Sequence, residues 1–320
     1  MPKRDYPRFV SLAPFSTLRA GGEAEIFAQA TSVDELADLA MWAQTKPFST
    51  TYLGGGSNIL PSDDGVSGFV VINQTSRIEF EDGGVVIADS GCSFQNVFLS
   101  CAQRGLGGLE FAVGIPGSLG GALVSNAGAY RSNISEFLTD LEIVVDGQRK
   151  WVDPSWMEFS YRDSILRRGG GPACALLRVK MMLPTRNQKE IYDEARDYQR
   201  QRIGKQPPPA SAGSFFKNVG DSELAARLDN LPDGLKKAGV VPAGYLIERS
   251  GLQGVRVGGA AFARRHANFI VNIGGASATE IRNLADLGKG AVLERFGVAL
   301  EEEVLYLGDW TRYRSRIWAS

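Results

Sequence analysis

The sequence predicts an α+β fold, on three observations. Helical and strand-like segments are interspersed without the regular βαβ spacing of a doubly wound sheet. Two loops of glycine and other small residues, Gly54–Asn58 and Gly114–Tyr130, interrupt that pattern. A triple proline, Pro207-Pro208-Pro209, then breaks the chain after a long charged segment. A length of 320 residues calls for two or three domains.

The elements follow in order. Ser16–Gly22 (STLRAGG) makes a glycine turn into a short strand, Ala24-Glu25-Ile26-Phe27. Ser32 and Glu35 form a capping box, and Leu36, Leu39, Ala40 and Ala43 share one helical face behind it. Tyr52-Leu53 and Gly68–Asn73 read as strands, and Gly83–Ala88 opens a second region in which Phe94–Ala102 is helical. Leu141–Val145, Lys150–Val152 and Ala175–Lys180 are strands. Gln188–Gly204 is a charged helix that ends before the prolines. Beyond them come Leu235–Leu246, a glycine-flanked segment, a strand at Asn268–Ile273 and a second capping box, Ser277 with Glu280. That box opens a helix with Ile281, Leu284, Ala285 and Val292 on one face, and Val304–Leu307 is the last strand.

Composition narrows the function. Thirty-five basic and 36 acidic residues leave a net charge of −1, which argues against nucleic-acid binding. Between Ala195 and Ile270, however, twelve Lys/Arg face six Asp/Glu, so that stretch carries +6 and the remainder −7. A small anionic ligand would suit this asymmetry, and so would a solvated basic face. Cys92, Cys101 and Cys174 are odd in number and lack a CxxC, so neither a disulfide framework nor a zinc site is expected. The start, MPKRDYPRFV, lacks the apolar region of a secretory signal. No run approaches the ~18 apolar residues of a membrane span. The expectation is a cytoplasmic protein with no membrane insertion.

The two glycine loops bring backbone N–H groups close to whatever they face. Gly114–Tyr130 has glycines at 114, 117, 120, 121 and 128, and Gly54-Gly55-Gly56-Ser57-Asn58 follows a short strand. Neither loop is a GxGxxG opening a helix or a Walker loop with GK[ST]. One such loop alone would pass for a surface turn, whereas two suit a dinucleotide held by loops. Only one histidine, His266, is present, so a zinc site or a Ser-His-Asp triad would have to be built on it. It reads as a structural hydrogen-bonder or, beside Arg264 and Arg265, as a ligand contact. Ser214, between Gly213 and two phenylalanines, could donate a proton to a carbanion or simply end a buried strand. Arg162, in Tyr161-Arg162-Asp163-Ser164, suits bidentate carboxylate recognition or an ordinary Arg–Asp pair. Glu303 precedes an apolar strand, where burial would raise its pKa, unless Glu301–Glu303 is a solvated turn.

Taken together and in order, these residues resemble the UDP-N-acetylenolpyruvoylglucosamine reductase family. The marks are STLRAGG, LGGGSNIL, GIPGSLGGALVSNAGAY, SYRDS, AGSFFKN, PAGYLIERSGLQGVRVGGAAFARRHANFIVN and FGVALEEEV, spanning nearly the whole chain. The resemblance implies a two-lobed FAD-binding domain of the vanillyl-alcohol-oxidase (PCMH) type plus a C-terminal α+β substrate-binding domain. It further implies that NADPH reduces FAD, and that hydride then passes to the enolpyruvyl methylene carbon of UDP-N-acetylglucosamine enolpyruvate. By motif position, Ser214 would be the proton donor, with Arg162 and Glu303 stabilising the developing charge. FAD would be held by Gly54, Gly55, Gly56, Ser57, Asn58, Gly114, Ile115, Pro116, Gly117, Ser118, Gly121, Asn126 and Gly128. Tyr161, Lys205, Asn218 and His266 fall at substrate positions, and no metal is implied. Val219 stands where the family usually has proline. The stretch from Tyr161 to Thr185 leaves no room for the extra tyrosine loop of some members, which points to the shorter type. The alternatives are a vanillyl-alcohol-oxidase-type flavin oxidase and an inactive sugar-nucleotide-binding protein. The expected domains are 1–80 (first FAD lobe), 81–204 rejoined by 300–320 (second lobe) and 205–299 (substrate), compatible with a monomer.

Overall fold

The structure, a computed structural model, describes residues 5–169 and 171–315, with Lys205 described in its backbone alone. The chain divides into two compact units. The first holds residues up to Val10, Ala24–Gly56 and Ser67–Gly204, and the second holds Ser11–Glu23, Ser57–Val66 and the chain from Lys205 onward.

The first unit has two lobes. One is a four-stranded sheet in the order Arg8–Ser11, Glu23–Ala30, Val66–Asn73, Thr50–Leu53. Helix Val33–Ala43 covers it, placing Leu36, Leu39, Ala40 and Ala43 against Ala28, Ala30, Phe69 and Val71. Each large apolar side chain so buried contributes roughly 1.5–3 kcal/mol. Ser32 caps the helix by accepting from the Glu35 N–H at 3.2 Å. The reciprocal bond goes one residue further back than the sequence suggests, from the Thr31 N–H to Glu35 at 3.0 Å.

The other lobe is an antiparallel five-stranded sheet ordered Gln148–Val152, Leu138–Val145, Cys174–Met182, Val85–Asp89, Ile78–Glu81. Phe94, Val97, Phe98 and Cys101 of helix Phe94–Ala102 fill one face of it. A bulge sits in the central strand. Glu142 pairs with Arg178 and the next residue, Ile143, with Leu176, which leaves Leu177 without a register partner. An extra residue moves the side chains beyond it to the opposite face. Ala175 and Leu177 therefore join the core of the first lobe, while Val179 and Met181 join that of the second. One strand thus serves both cores.

The second unit is built on helix Ala278–Phe296. It packs Ile281, Leu284, Ala285 and Val292 with Phe215, Phe216, Leu246, Ile247, Phe262 and Ile270. The sheet runs Ala210–Ser211, Ile270–Asn272, Ala260–Phe262, Arg256–Val257. The Ser277/Glu280 capping box forms in both directions. Leu235–Leu246 is broken in two, because Gly239 is left-handed (φ 64°) and Pro242 opens the next helix, Ala243–Arg249.

The C-terminal strand differs from expectation. Instead of rejoining the second FAD lobe, Leu305–Leu307 pairs in parallel with Ile59–Pro61 inside the second unit. The cause lies in residues just beyond the strand. A Cβ on Gly308 would lie 2.1 Å from the Gly65 carbonyl oxygen, so only glycine permits that approach. The Arg282 guanidinium, 4.7, 4.6 and 4.1 Å from the Tyr306, Trp310 and Tyr313 rings, holds the tail on its own helix.

Candidate functional site

In the first unit the two glycine loops interlock. A Cβ at Gly54 would fall 1.9 Å from Ser118 Oγ, and one at Gly55 would fall 2.8 Å from Gly117 Cα. Their small size is thus required first by each other. The second loop is tied down by Phe94 N–H to Gly117 O (3.0 Å), Leu119 N–H to Cys92 O (2.8 Å) and Gly120 N–H to Ser90 O (2.7 Å). Ser90 also binds both bulge carbonyls, with its N–H to Leu177 O at 2.9 Å and its Oγ to Leu176 O at 2.6 Å. The sheet irregularity and the loop are therefore one hydrogen-bonded assembly.

Not every amide of the loop is a donor to a ligand. Gly114 N–H goes to Gln95 Oε1 (3.2 Å), Ile115 N–H to Ala112 O (3.0 Å) and Gly121 N–H to Ser118 Oγ (3.2 Å). These three positions, with Pro116, shape the cradle by lacking bulk or by fixing its backbone. Asn126 lies beside them, buried and left-handed (φ 41°). Its Nδ2 donates to Ser160 O at 3.0 Å, whereas its Oδ1 has no hydrogen-bond partner among the described residues. A buried acceptor of this kind calls for a donor that the described residues do not supply.

Arg162 meets the main chain of that asparagine. Its guanidinium donates to the carbonyls of Asn126 (3.4 Å) and Gly128, and it lies 5.4 Å from the exposed Tyr161 ring. Asp163 pairs with Arg168 at 2.9 Å, so the adjacent Arg–Asp pair considered from sequence does not form through Arg162. Arg162 is itself left-handed (φ 55°), as are Tyr130, Arg131 and Glu158. Such residues cost on the order of 1–3 kcal/mol each and concentrate at functional sites. Gly128 is forced, since a Cβ there would lie 2.4 Å from Ser132 O.

Sequence reasoning missed Arg202. This residue of helix Gln188–Lys205 donates to Phe111 O at 3.2 Å, and its Cδ would lie 3.2 Å from a Cβ on Gly114. Its guanidinium lies 5.7 Å from the Tyr130 ring, which stacks on Tyr198 at 3.7 Å. Burial lowers its pKa from the usual arginine value, and the charge of Arg162 adds to that. The only sequence signal was the local basic excess, which twelve residues shared.

In the second unit Ser214 and Glu303 are brought together. Gly213 (φ 80°) turns the chain into Ser214. Asn268, 3% exposed, then clamps the two phenylalanines after it. Its carbonyl accepts from Phe215 N–H (2.7 Å), its Oδ1 from Phe216 N–H (3.0 Å), and its Nδ2 donates to Phe216 O (2.8 Å). Phe215 O in turn accepts from Glu303 N–H at 2.8 Å, so hydroxyl and carboxylate are carried on bonded segments. The three glutamates are not one solvated turn. Glu301 pairs with Lys217, Glu302 with Lys289, and Glu303 is half-buried.

The remaining positions also have structural partners. Asn58 Nδ2 donates to Glu303 O at 2.9 Å. Asn218 Oδ1 accepts from Ala243 N–H at 3.3 Å, at the start of helix Ala243–Arg249. His266 Nδ1 accepts from Asn268 N–H at 3.3 Å. The Lys205 side chain lies outside the described residues. Among the described residues no three His, Cys, Asp or Glu side chains are placed to hold a metal, and no helix is long and apolar enough to cross a membrane.

Residues 24–152 match a family described as an FAD binding domain, and residues 204–307 match the C-terminal domain of UDP-N-acetylenolpyruvoylglucosamine reductase. The chain is 36% identical over 304 residues to the UDP-N-acetylenolpyruvoylglucosamine reductase of Synechococcus sp. (strain JA-3-3Ab), covering 94% of this chain and 91% of that one. It is 34% identical over 300 residues to the Bacillus subtilis (strain 168) protein of the same name, covering 93% and 92%. The crystal structure of the UDP-N-acetylenolpyruvylglucosamine reductase from Thermus caldophilus is similar with a TM-score of 0.73 and 31% identity, covering 93% and 97%.

Proposed function

The chain belongs to the UDP-N-acetylenolpyruvoylglucosamine reductase family, and on that premise we propose that it reduces the enolpyruvyl double bond of UDP-N-acetylglucosamine enolpyruvate to UDP-N-acetylmuramate, with NADPH as reductant. The activity is that of an FAD-dependent oxidoreductase of peptidoglycan precursor synthesis. The observation that carries the reading is the interlocked cradle of Gly54 and Gly55 on Gly117 and Ser118, with the unpartnered Oδ1 of Asn126 beside it. Such a cradle fits a flat, polar-edged dinucleotide approached by backbone.

When bound, FAD supplies hydride transfer from NADPH to the substrate carbon. The loops Gly54–Ser57 and Gly114–Ser118, with Gly121, Asn126 and Gly128, hold and orient it. Arg162, its guanidinium aimed by two main-chain carbonyls, pairs with the substrate carboxylate and stabilises the charge that develops on it. The Ser214 hydroxyl holds the proton taken up by the carbon next to that carboxylate, the neighbour of the methylene carbon that receives hydride. Glu303, beside it, stabilises the protonated form of that carboxylate. Tyr161, Lys205, Asn218 and His266 contact the sugar-nucleotide portion, where the +6 excess favours a diphosphate. The same reading takes the enzyme as cytoplasmic and is compatible with a monomer.

An anaerobic visible spectrum tests the proposal. NADPH should bleach the yellow protein, and UDP-N-acetylglucosamine enolpyruvate should restore it. Bleaching without recovery would leave a flavoprotein of another activity, and no flavin after reconstitution with FAD would reject the cradle.

A further inference from the structure

We propose that Asn58 is a positioning residue for Glu303, acting through the peptide that carries the carboxylate. The inference rests on the catalytic role proposed for Glu303. The GGGSN loop ends at Asn58, immediately before the strand Ile59–Pro61 that pairs with Leu305–Leu307. Asn58 grips the C-terminal segment twice. Its carbonyl accepts from Leu305 N–H at 3.0 Å, and its side-chain Nδ2 donates to Glu303 O at 2.9 Å.

The ladder would form without the second bond, since Leu305, Tyr306 and Leu307 already have register partners in Ile59, Leu60 and Pro61. The side-chain bond adds control of the peptide just ahead of the ladder. With Glu303 N–H held by Phe215 O at 2.8 Å, both ends of the Glu303 backbone are fixed, one by the neighbour of Ser214 and the other by Asn58. A carboxylate on a short flexible stem is aimed only as well as its backbone is held. A displacement of about 1 Å in a reacting group can cost on the order of 100-fold in rate. The last residue of a loop that looks from sequence like a cofactor ligand therefore directs its amide to the acid–base side of the reaction.

The test is a double-mutant cycle on the holoenzyme, with FAD affinity and the two half-reactions measured separately. Asn58→Ala and the near-isosteric Asn58→Asp, neither of which can donate to Glu303 O, are each made alone and on Glu303→Gln. Flavin reoxidation by substrate should fall at least tenfold in each single variant, while the FAD dissociation constant moves less than threefold. On the Glu303→Gln background the Asn58 substitutions should cost less than twofold more, because the group they aim is gone. A full additive loss, or FAD affinity falling in step with reoxidation, would overturn the inference and leave Asn58 a cofactor ligand. Failure of both variants to yield folded holoenzyme would overturn it as well, in favour of a purely structural role. Glu303→Gln with unchanged reoxidation would remove the Glu303 assignment itself, and the inference with it.

Discussion

Ser214, Arg162 and Gly54 each do something that a single substitution can isolate. Ser214→Ala removes a hydroxyl proton and little else, so reoxidation by substrate should slow by roughly 100-fold or more. Bleaching by NADPH should stay within about threefold in the same stopped-flow experiment, and equal losses in both halves would reject the proton-donor role. Arg162→Ala should raise KM and slow reoxidation without releasing FAD, because the contacts that interlock the cradle are those of Gly54 and Gly55 with Ser118 and Gly117, while the guanidinium donates to the Asn126 and Gly128 carbonyls. A colourless purified variant would contradict that. Gly54→Ala acts differently, since its new Cβ would land 1.9 Å from Ser118 Oγ. Loss of FAD, read as the flavin absorbance per protein, is the expected result. At this scale the motifs made Ser214, Arg162 and Glu303 candidates, because the proposed chemistry demands particular side chains. Arg202 was not readable, because one arginine on a charged helix is distinguished only by what surrounds it.

At the scale of elements, helices announce themselves better than sheet irregularities. The Ser277/Glu280 box was legible because capping is local in the chain, and both of its bonds form. The bulge at Leu177 was not legible, because it exists only in the pairing of two strands about 35 residues apart in sequence. Its consequences reach the site through Ser90, which binds Leu176 O, Leu177 O and, by its own carbonyl, Gly120 N–H, and whose Oγ accepts from Asn73 Nδ2 at 2.7 Å. Ser90→Ala would leave the Leu176 carbonyl and the Asn73 amide without this partner. A loss of about 1–3 kcal/mol in urea unfolding is expected, with weaker FAD binding from a loosened loop. Unchanged flavin content would separate the bulge from the cradle.

At the scale of the whole molecule, charge and burial set the response to pH. Glu142, 4% exposed, accepts from Arg149 at 2.7 Å and Arg178 at 2.5 Å, and Arg149 reaches on to Asp34 at 2.6 Å. Burial works to raise the Glu142 pKa, but the two arginines together outweigh it and hold it below the ordinary glutamate value. A group depressed on folding stabilises above its unfolded pKa of ~4.3 and loses that contribution as pH falls through the folded value. The Tm should therefore hold from neutral pH to about 5 and fall below about 4. Glu142→Gln should lower stability at pH 7 by about 3 kcal/mol and flatten that acid limb. Burial also pushes the Cys92, Cys101 and Cys174 thiols up to about 12. Iodoacetamide should leave the native protein unlabelled at pH 8 and label it on unfolding, as mass spectrometry would show.

By itself the sequence determined the fold class and the two loops and singled out the candidates for the reacting groups, since each depends on local patterning or on a particular side-chain chemistry. Only the tertiary structure decided which amides of Gly114–Gly121 are already bonded, which unit takes the C-terminal strand, and what Asn58 and Asn268 grip. Apart from the local bonds of Gly121 to Ser118 and Ile115 to Ala112, those outcomes depend on pairings between residues tens to hundreds of positions apart. Such pairings exist only once the apolar faces have been buried and the chain has closed on itself.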